Sequence, residues 1–335
     1  MPATVPMVIT GLLSGGALGY VLQRSGLCFH AMFASAWQRD TTLLRGWLLG
    51  VGVGSVGLSL IYLVSSYDLN RGLAFRPVQN IVGGLVIGFG MVVARSCASG
   101  LFYKLGAGML GASVGIIGWV VGELAATHVH LGGPTVLPGG SDATITGLLG
   151  VPRLLGSLVL LVVVVAVCRR LSRGRPLVPA DQDRSMPGSR WAWPRTGLAL
   201  GAVLILGWVL AGAGGVGFGP STVGASAGIQ SGHPNWWLVA FLVGLVPGAH
   251  VAARVAGDWR PRAELPVRYL KLVAGGFLLG AGGWVAGGCN LGHGLSGTAQ
   301  LNVSSWVVVV AMAVGVGVSR GLVRALVRPD VRAAS

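Results

Sequence analysis

Charge is what this chain has least of. Only 10% of its 335 residues are Asp, Glu, Lys or Arg, against ~25% in an ordinary soluble domain. Hydrophobic residues make up 53%, and mean hydropathy is +0.74. That balance excludes a soluble globular enzyme. Acids are scarcest, at nine Asp plus Glu. Within the apolar runs the main exception is Glu123, in IIGWVVGELAATH. Ion-coupled pumps mark their paths with intramembrane carboxylates, so support for proton coupling is thin and a cation site lacks ligands. Lysine is nearly missing too: Lys104 and Lys271 are the two. The formal charge of +15 is therefore arginine. The arginines cluster between apolar segments, where the positive-inside rule puts them, and no nucleic-acid partner is expected. There are four cysteines and no C-x-x-C pair, which argues against a dithiol redox motif and a zinc ribbon. The N-terminus lacks a charged n-region and an A-x-A cleavage site, so it is expected to be a first span rather than a removed signal.

Glycine, in contrast, is abundant: 58 residues, with no G-x-y period. Close packing of membrane helices accounts for it. Much of it falls in one stretch that occurs twice. GGLVIGFGMVVARSCASGL runs from Gly83 to Leu101, and GGFLLGAGGWVAGGCNLGH from Gly275 to His293, at an offset of 192 residues. Gly83, Gly84, Gly88, Gly90, Ala94, Cys97 and Gly100 fall on Gly275, Gly276, Gly280, Gly282, Ala286, Cys289 and Gly292. Glycines four apart share one helix face. Each copy reads as an apolar helix broken near its cysteine, with a new helix starting beyond the Cys-x-x-Gly. Broken helices at membrane depth are tolerated where the freed backbone lines a cavity. Interrupted segments at matched positions in two halves point to a transporter's substrate site. The bland alternative, a Gly-rich packing face with an incidental buried cysteine, would have to arise twice at one spacing.

Along the chain, Val5 to Gln23 is long enough to span a membrane. A short apolar piece after Cys28 ends near Trp37 and is expected to be re-entrant. Leu43 to Tyr67, Leu105 to Ala126 and Thr144 to Val167 read as spans. Residues 169–195 hold seven arginines and several prolines and read as a cytoplasmic linker. Beyond it, Thr196 to Ala213 and Trp236 to Ala253 span, the second copy comes next, and Val303 to Val318 closes the set. The expected architecture is an all-α polytopic membrane protein. An N-terminal half (1–168) and a C-terminal half (196–335) are joined by the linker 169–195. Counting crossings makes the two copies run in opposite directions, as pseudo-symmetric inverted halves whose cysteines meet near the midplane.

Cys97 and Cys289 are the prime chemical candidates. Cys28, in RSGLCFHAMF, is a third thiol just after a span. Cys168 sits at a helix end against two arginines and reads as a small hydrophobe. A soft metal would want the thiols clustered with His30, Met32 or His293, so soft-metal transport is one chemistry. A soft sulfur anion is the other, because a thiol is a weak donor and a polarisable acceptor. Conduction needs several sites in series that bind without trapping. Helix N-termini at the breaks, Arg95 and Lys104 beside Cys97, and the donors Asn290, His293 and Ser296 favour the anion. Four of these have a plainer role: Arg95 as an interfacial cation, and Asn290, His293 and Ser296 in helix-to-helix hydrogen bonds.

Three stretches, QRSGLCF (23–29), GGLVIGFGMVVARSCASGLFYKLGAG (83–108) and GGFLLGAGGWVAGGCNLGHGLSG (275–297), resemble the YeeE/YedE family of membrane proteins, in its thiosulfate-transporter group. The resemblance implies uptake of thiosulfate, or of another sulfur or selenium compound, across the bacterial inner membrane. It implies a compact, pseudo-symmetric helical fold, no cofactor and no resident metal. It maps a hand-over of the anion by thiol contacts onto Cys28, Cys97 and Cys289, with Gly100 and Gly292 at the breaks. A separate TusA-like sulfur-carrier protein is the partner it implies. The first copy departs from the pattern in carrying Arg-Ser before its cysteine, where relatives often have small residues. A membrane thiol or sulfur-transfer enzyme is the competing class, and would need a low-pKa thiolate and a resolving partner.

Overall fold

A computed structural model describes residues 4–129, 131–173 and 190–327. The first half holds α1 (Val5–Ser25), α2 (Phe29–Ala36), α3 (Thr42–Val64), α4 (Pro77–Ala94), α5 (Ala98–Gly106) and α6 (Gly111–Ala126). Then come α7 (Ile145–Leu148) and α8 (Arg153–Ser172). The second half holds α9 (Trp193–Ala213), α10 (Ala225–Gln230), α11 (Trp236–Val255), α12 (Pro266–Ala286), a π-helical turn (Gly292–Gly297) and α13 (Val303–Val327). Eight helical stretches among the described residues are long and apolar enough to cross a membrane. The protein is an all-α, multi-pass membrane protein.

Two expected spans are differently cut. Leu105 to Ala126 is not one helix: α5 ends at Gly106, the chain turns at Gly108 (φ 99), and α6 starts at Gly111. Gly108 faces the carbonyl of Arg260, too close for any side chain. Thr144 to Val167 is interrupted by the short α7 and by Pro152, which caps the true span α8. Of the linker 169–195, residues 174–189 lie outside the described residues, as do the tail arginines at 328 and 332.

Adding the repeat offset of 192 to α3, α4 and α6 lands on α11, α12 and α13, and α1 lands on α9. The packing obeys the same correspondence. α1 lies along α11 while α9 lies along α3, and α12 lies along α6 while α13 lies along α4. The corresponding helices α4 and α12 also pack on each other. They run antiparallel: Asn80 Nδ2 near the start of α4 donates to Ala286 O at the end of α12 (2.8 Å), and Arg268 Nη2 near the start of α12 donates to Ala94 O at the end of α4 (2.6 Å). Gly83 meets the backbone of Ala286, and its counterpart Gly275 meets the backbone of Ala94. These glycines are what lets two helices of this bulk touch backbone to backbone. The α1/α9 pair is antiparallel as well, since Gly214 faces Thr10 and Trp191 N–H bonds Arg24 O. Outside this intertwined core, α8 is mostly exposed through Val159, Val162 and Val163, as a lipid-facing helix should be. Its Ser157 anchors it to Ser55 and Ser59 of α3 at 2.8 and 2.7 Å.

Candidate functional site

Three helices end in the same kind of corner. α1 stops at Gly26 (φ 65), α4 at Arg95 (φ 50) and α12 at Gly287 (φ 75), each in the left-handed conformation that terminates helices. Two residues on from each stands a cysteine: Gly26-Leu27-Cys28, Arg95-Ser96-Cys97, Gly287-Gly288-Cys289. Cys28 and Cys97 are extended and directly cap α2 and α5. The carbonyl of Cys289 accepts the His293 N–H (2.8 Å) and its Sγ accepts the Leu291 N–H (3.2 Å). The expectation that a helix begins beyond each Cys-x-x-Gly is corrected for the first copy, where α5 begins directly after Cys97 and Gly100 lies in its first turn. In the second copy the chain beyond Cys289 enters a π-helical turn at Gly292, a form often found at functional sites. Neither α2 nor α5 has a side-chain cap on its first N–H groups, which leaves the positive helix end at the thiol.

The corners fold back into the core and meet. Cys28 Sγ donates to Cys97 Sγ at 3.5 Å, and both residues are buried. Beneath them lies Gly100, where a Cβ would come within 3.1 Å of Cys97 Sγ and 3.3 Å of Cys28 Sγ. Cys97 Sγ is 3.5 Å from Ser99 Oγ, and Asn290 Nδ2 donates to that same oxygen at 2.8 Å. Thus Cys28, Cys97, Gly100 and Asn290 come together, and Cys289 adjoins through Asn290. Lys104, buried on α5, donates to Arg95 O at 3.1 Å. Its charge lies within electrostatic reach of Cys28.

His293 and Ser296 are committed elsewhere. The two His293 ring nitrogens pair with Ala286 O and Ser305 Oγ, both at 2.9 Å, and the ring sits over Gly288. Ser296 Oγ donates to Pro220 O at 2.8 Å. They brace the break. On the side of α12's end, a cavity of 260 Å³ reaches Gly287, Gly288 and Gly292, which bracket Cys289. Trp208, Trp237, Ser221 and Gln300 also line it. Gly292 faces Ser221 Oγ there.

A model of a family described as sulphur transport matches residues 24–318, which contain all three corners. The chain belongs to the sulphur-transport family. It is 29% identical to the thiosulfate transporter TsuA of Spirochaeta thermophila, over 92% of this chain and 97% of that protein. It is 27% identical to the thiosulfate transporter TsuA of Escherichia coli, over 98% of this chain and 97% of that protein. A shorter match, 25% over 100 residues, joins 30% of this chain to 24% of the probable transporter YedE of Escherichia coli.

Three features of this sulphur-transport chain are not legible in its sequence. Ser99 bridges the two breaks, yet nothing marks it among many serines. Arg268 and Arg320 join Arg95 and Lys104 within electrostatic reach of His30, and Arg268 bonds Ala94 O at the end of α12 opposite the cavity. Arg95 caps the end of α4 and the others come from α5, α12 and α13, so no local motif unites them. Glu123 is fully buried, and its Oε1 accepts the N–H groups of Gly224 (2.9 Å) and Ala227 (3.2 Å) at the start of α10. Those bonds make it a cap on the first N–H groups of α10. Among the described residues no three His, Cys, Asp or Glu side chains gather as metal ligands.

Proposed function

We propose that this chain is a carrier that takes up thiosulfate across the bacterial inner membrane, leaving the anion chemically intact. The meeting of the duplicated breaks supports this most directly: Asn290 from one reaches Ser99 from the other at 2.8 Å, beside the Cys28–Cys97 pair. A carrier of a soft oxyanion needs that mixture. Sulfur contacts the terminal sulfur, while hydroxyl, amide and helix N–H groups take the oxygens. The family and the named relatives make thiosulfate the anion of choice.

The proposed halves are 1–168 and 196–335, joined by 169–195 and inverted relative to each other. The antiparallel contact of α4 with α12 supports inversion, because corresponding helices that run in opposite directions traverse the membrane in opposite senses. The arginine-rich segments 169–195 and 254–268 then lie inside. The cavity at Gly292 lies outside, and the proposed order is this cavity, Cys289, the Cys97 and Cys28 pair, then the cations Arg95 and Lys104. A TusA-like carrier protein would collect the anion at that inner mouth. Cys28, Cys97, Cys289, Asn290, Gly100 and Gly292 form the path, and His293 holds the second break in shape.

Labelled thiosulfate uptake into proteoliposomes tests the reading. Wild type should accumulate intact thiosulfate. Cys97→Ser and Cys289→Ser should each lose about tenfold or more, the scale of one hydrogen bond to a charged group at ~1.5–3 kcal/mol. Unchanged uptake in both, with normal gel-filtration profiles, would overturn the thiol path. Recovery of a different sulfur product inside would make the protein an enzyme.

A further inference from the structure

Cys28 and Cys97 are more than two stations on a route. Their sulfurs are 3.5 Å apart, neither is in a disulfide, and both are buried over the same glycine. They belong to different corners, 69 residues apart in sequence, that are rigidly held by the left-handed turns at Gly26 and Arg95. A disulfide bond is about 2.0 Å long, so roughly 1.5 Å of side-chain approach would join them. Cys168 has no such opportunity. Its thiol turns to the Arg45 carbonyl at 3.6 Å, at the far end of α8.

We propose that Cys28 and Cys97 are a modification site: a peroxide converts them to an intrachain disulfide that shuts the path. The inference rests on the thiosulfate-carrier reading for its consequence, though not for its chemistry. In the first step one cysteine sulfur attacks a peroxide oxygen. The O–O bond breaks, a sulfenic acid forms and one water leaves. The second thiol then attacks the sulfenic sulfur, the S–S bond forms and the S–O bond breaks, releasing a second water. Two thiols and one hydrogen peroxide give one disulfide and two waters; the two electrons pass from sulfur to peroxide oxygen, and both thiol protons end in water. Peroxide is smaller than a sulfur oxyanion, so a path that admits the anion admits the oxidant. The product has no S–H to offer a passing anion, and it ties the start of α2 to the start of α5 across Gly100.

The experiment uses the full chain in proteoliposomes, treated with hydrogen peroxide and then with dithiothreitol. Peptide mapping without reduction should recover a linked peptide pair containing Cys28 and Cys97, and the intact mass should fall by two hydrogens. Thiosulfate uptake should fall in proportion to the linked fraction and return with dithiothreitol. Absence of the linked pair from peroxide-treated protein overturns the proposal, as does a fully linked sample that transports at the untreated rate. A Cys28→Ser variant must yield no linked pair. If untreated protein does not carry thiosulfate, the carrier reading fails, while the peptide map still decides whether the disulfide forms.

Discussion

Gly100 is the floor under the thiol pair, and its missing side chain is measurable. A Cβ there would sit 2.6 Å from Ser96 Oγ, 3.1 Å from Cys97 Sγ and 3.3 Å from Cys28 Sγ, so Gly100→Ala must displace the Ser96 hydroxyl and crowd both sulfurs. Overpacking of this kind costs ~1–3 kcal/mol. The expected outcome is a folded protein with a lower melting temperature and uptake reduced about tenfold or more. Wild-type uptake in Gly100→Ala would remove the pair from the path. Arg95 is the opposite case, a large residue at φ 50 where the two sister corners use glycine. Strain of this kind costs on the order of 1 kcal/mol. Arg95→Gly should therefore raise the melting temperature. Arg95→Gly and Arg95→Asn should both slow uptake, Asn tolerating the left-handed conformation while removing the charge. A variant that gains stability and keeps full uptake would make Arg95 an ordinary interfacial cation. The duplication and its two cysteines were readable because glycine and cysteine spacing is a local property. The Cys28–Cys97 contact was not, because it depends on two corners folding to one point. The twin of Cys28 at the repeat offset is Pro220, so symmetry offered no hint of a third thiol.

At the scale of elements, the seam between α4 and α12 is made of backbone on backbone. Gly83 and Gly275 face the backbone of Ala286 and Ala94, groups that cannot rotate away. Gly83→Val and Gly275→Val should each abolish the monodisperse peak of detergent-solubilised protein, while Gly321→Ala, with nothing within 4 Å of its added Cβ, should leave it intact. A well-folded Gly83→Val would refute the close seam. Glu123 tests a second element. Its carboxylate caps α10 through two N–H groups, so Glu123→Gln should cost about 1 kcal/mol of stability. Uptake should keep the same response to an imposed proton gradient as wild type. Loss of a gradient dependence present in wild type would promote Glu123 to a coupling residue. The broken helices themselves were legible from the Gly-Gly-Cys and Arg-Ser-Cys interruptions. Where α5 begins was not, because Cys-x-x-Gly invites a break at Gly100, whereas the left-handed Arg95 two before Cys97 has already made the turn.

The whole molecule makes one claim that topology can decide. If α4 and α12 are corresponding helices running in opposite directions, every corresponding pair must do the same. The segment between α9 and α11 then faces outside, and the loop between α11 and α12 faces inside with its arginines. Ser231 and Ala263 are exposed in those two loops, whereas all four native cysteines are buried. Ser231→Cys should react with a membrane-impermeant maleimide added to intact cells, and Ala263→Cys only after permeabilisation. Labelling of both from one side would break the inverted arrangement and with it the proposed sequence of stations. Labelling from opposite sides has a further consequence. The cavity at Gly292 and the cations around His30 would then open to opposite compartments, with the thiols between them. An anion entering at the cavity would meet Cys289 before the Cys28–Cys97 pair, so the two thiol variants should differ in kind. Cys289→Ser should weaken apparent affinity at the outer face, whereas Cys97→Ser should lower the maximal rate of uptake with affinity less affected. The reverse split would invert the order while leaving the path in place.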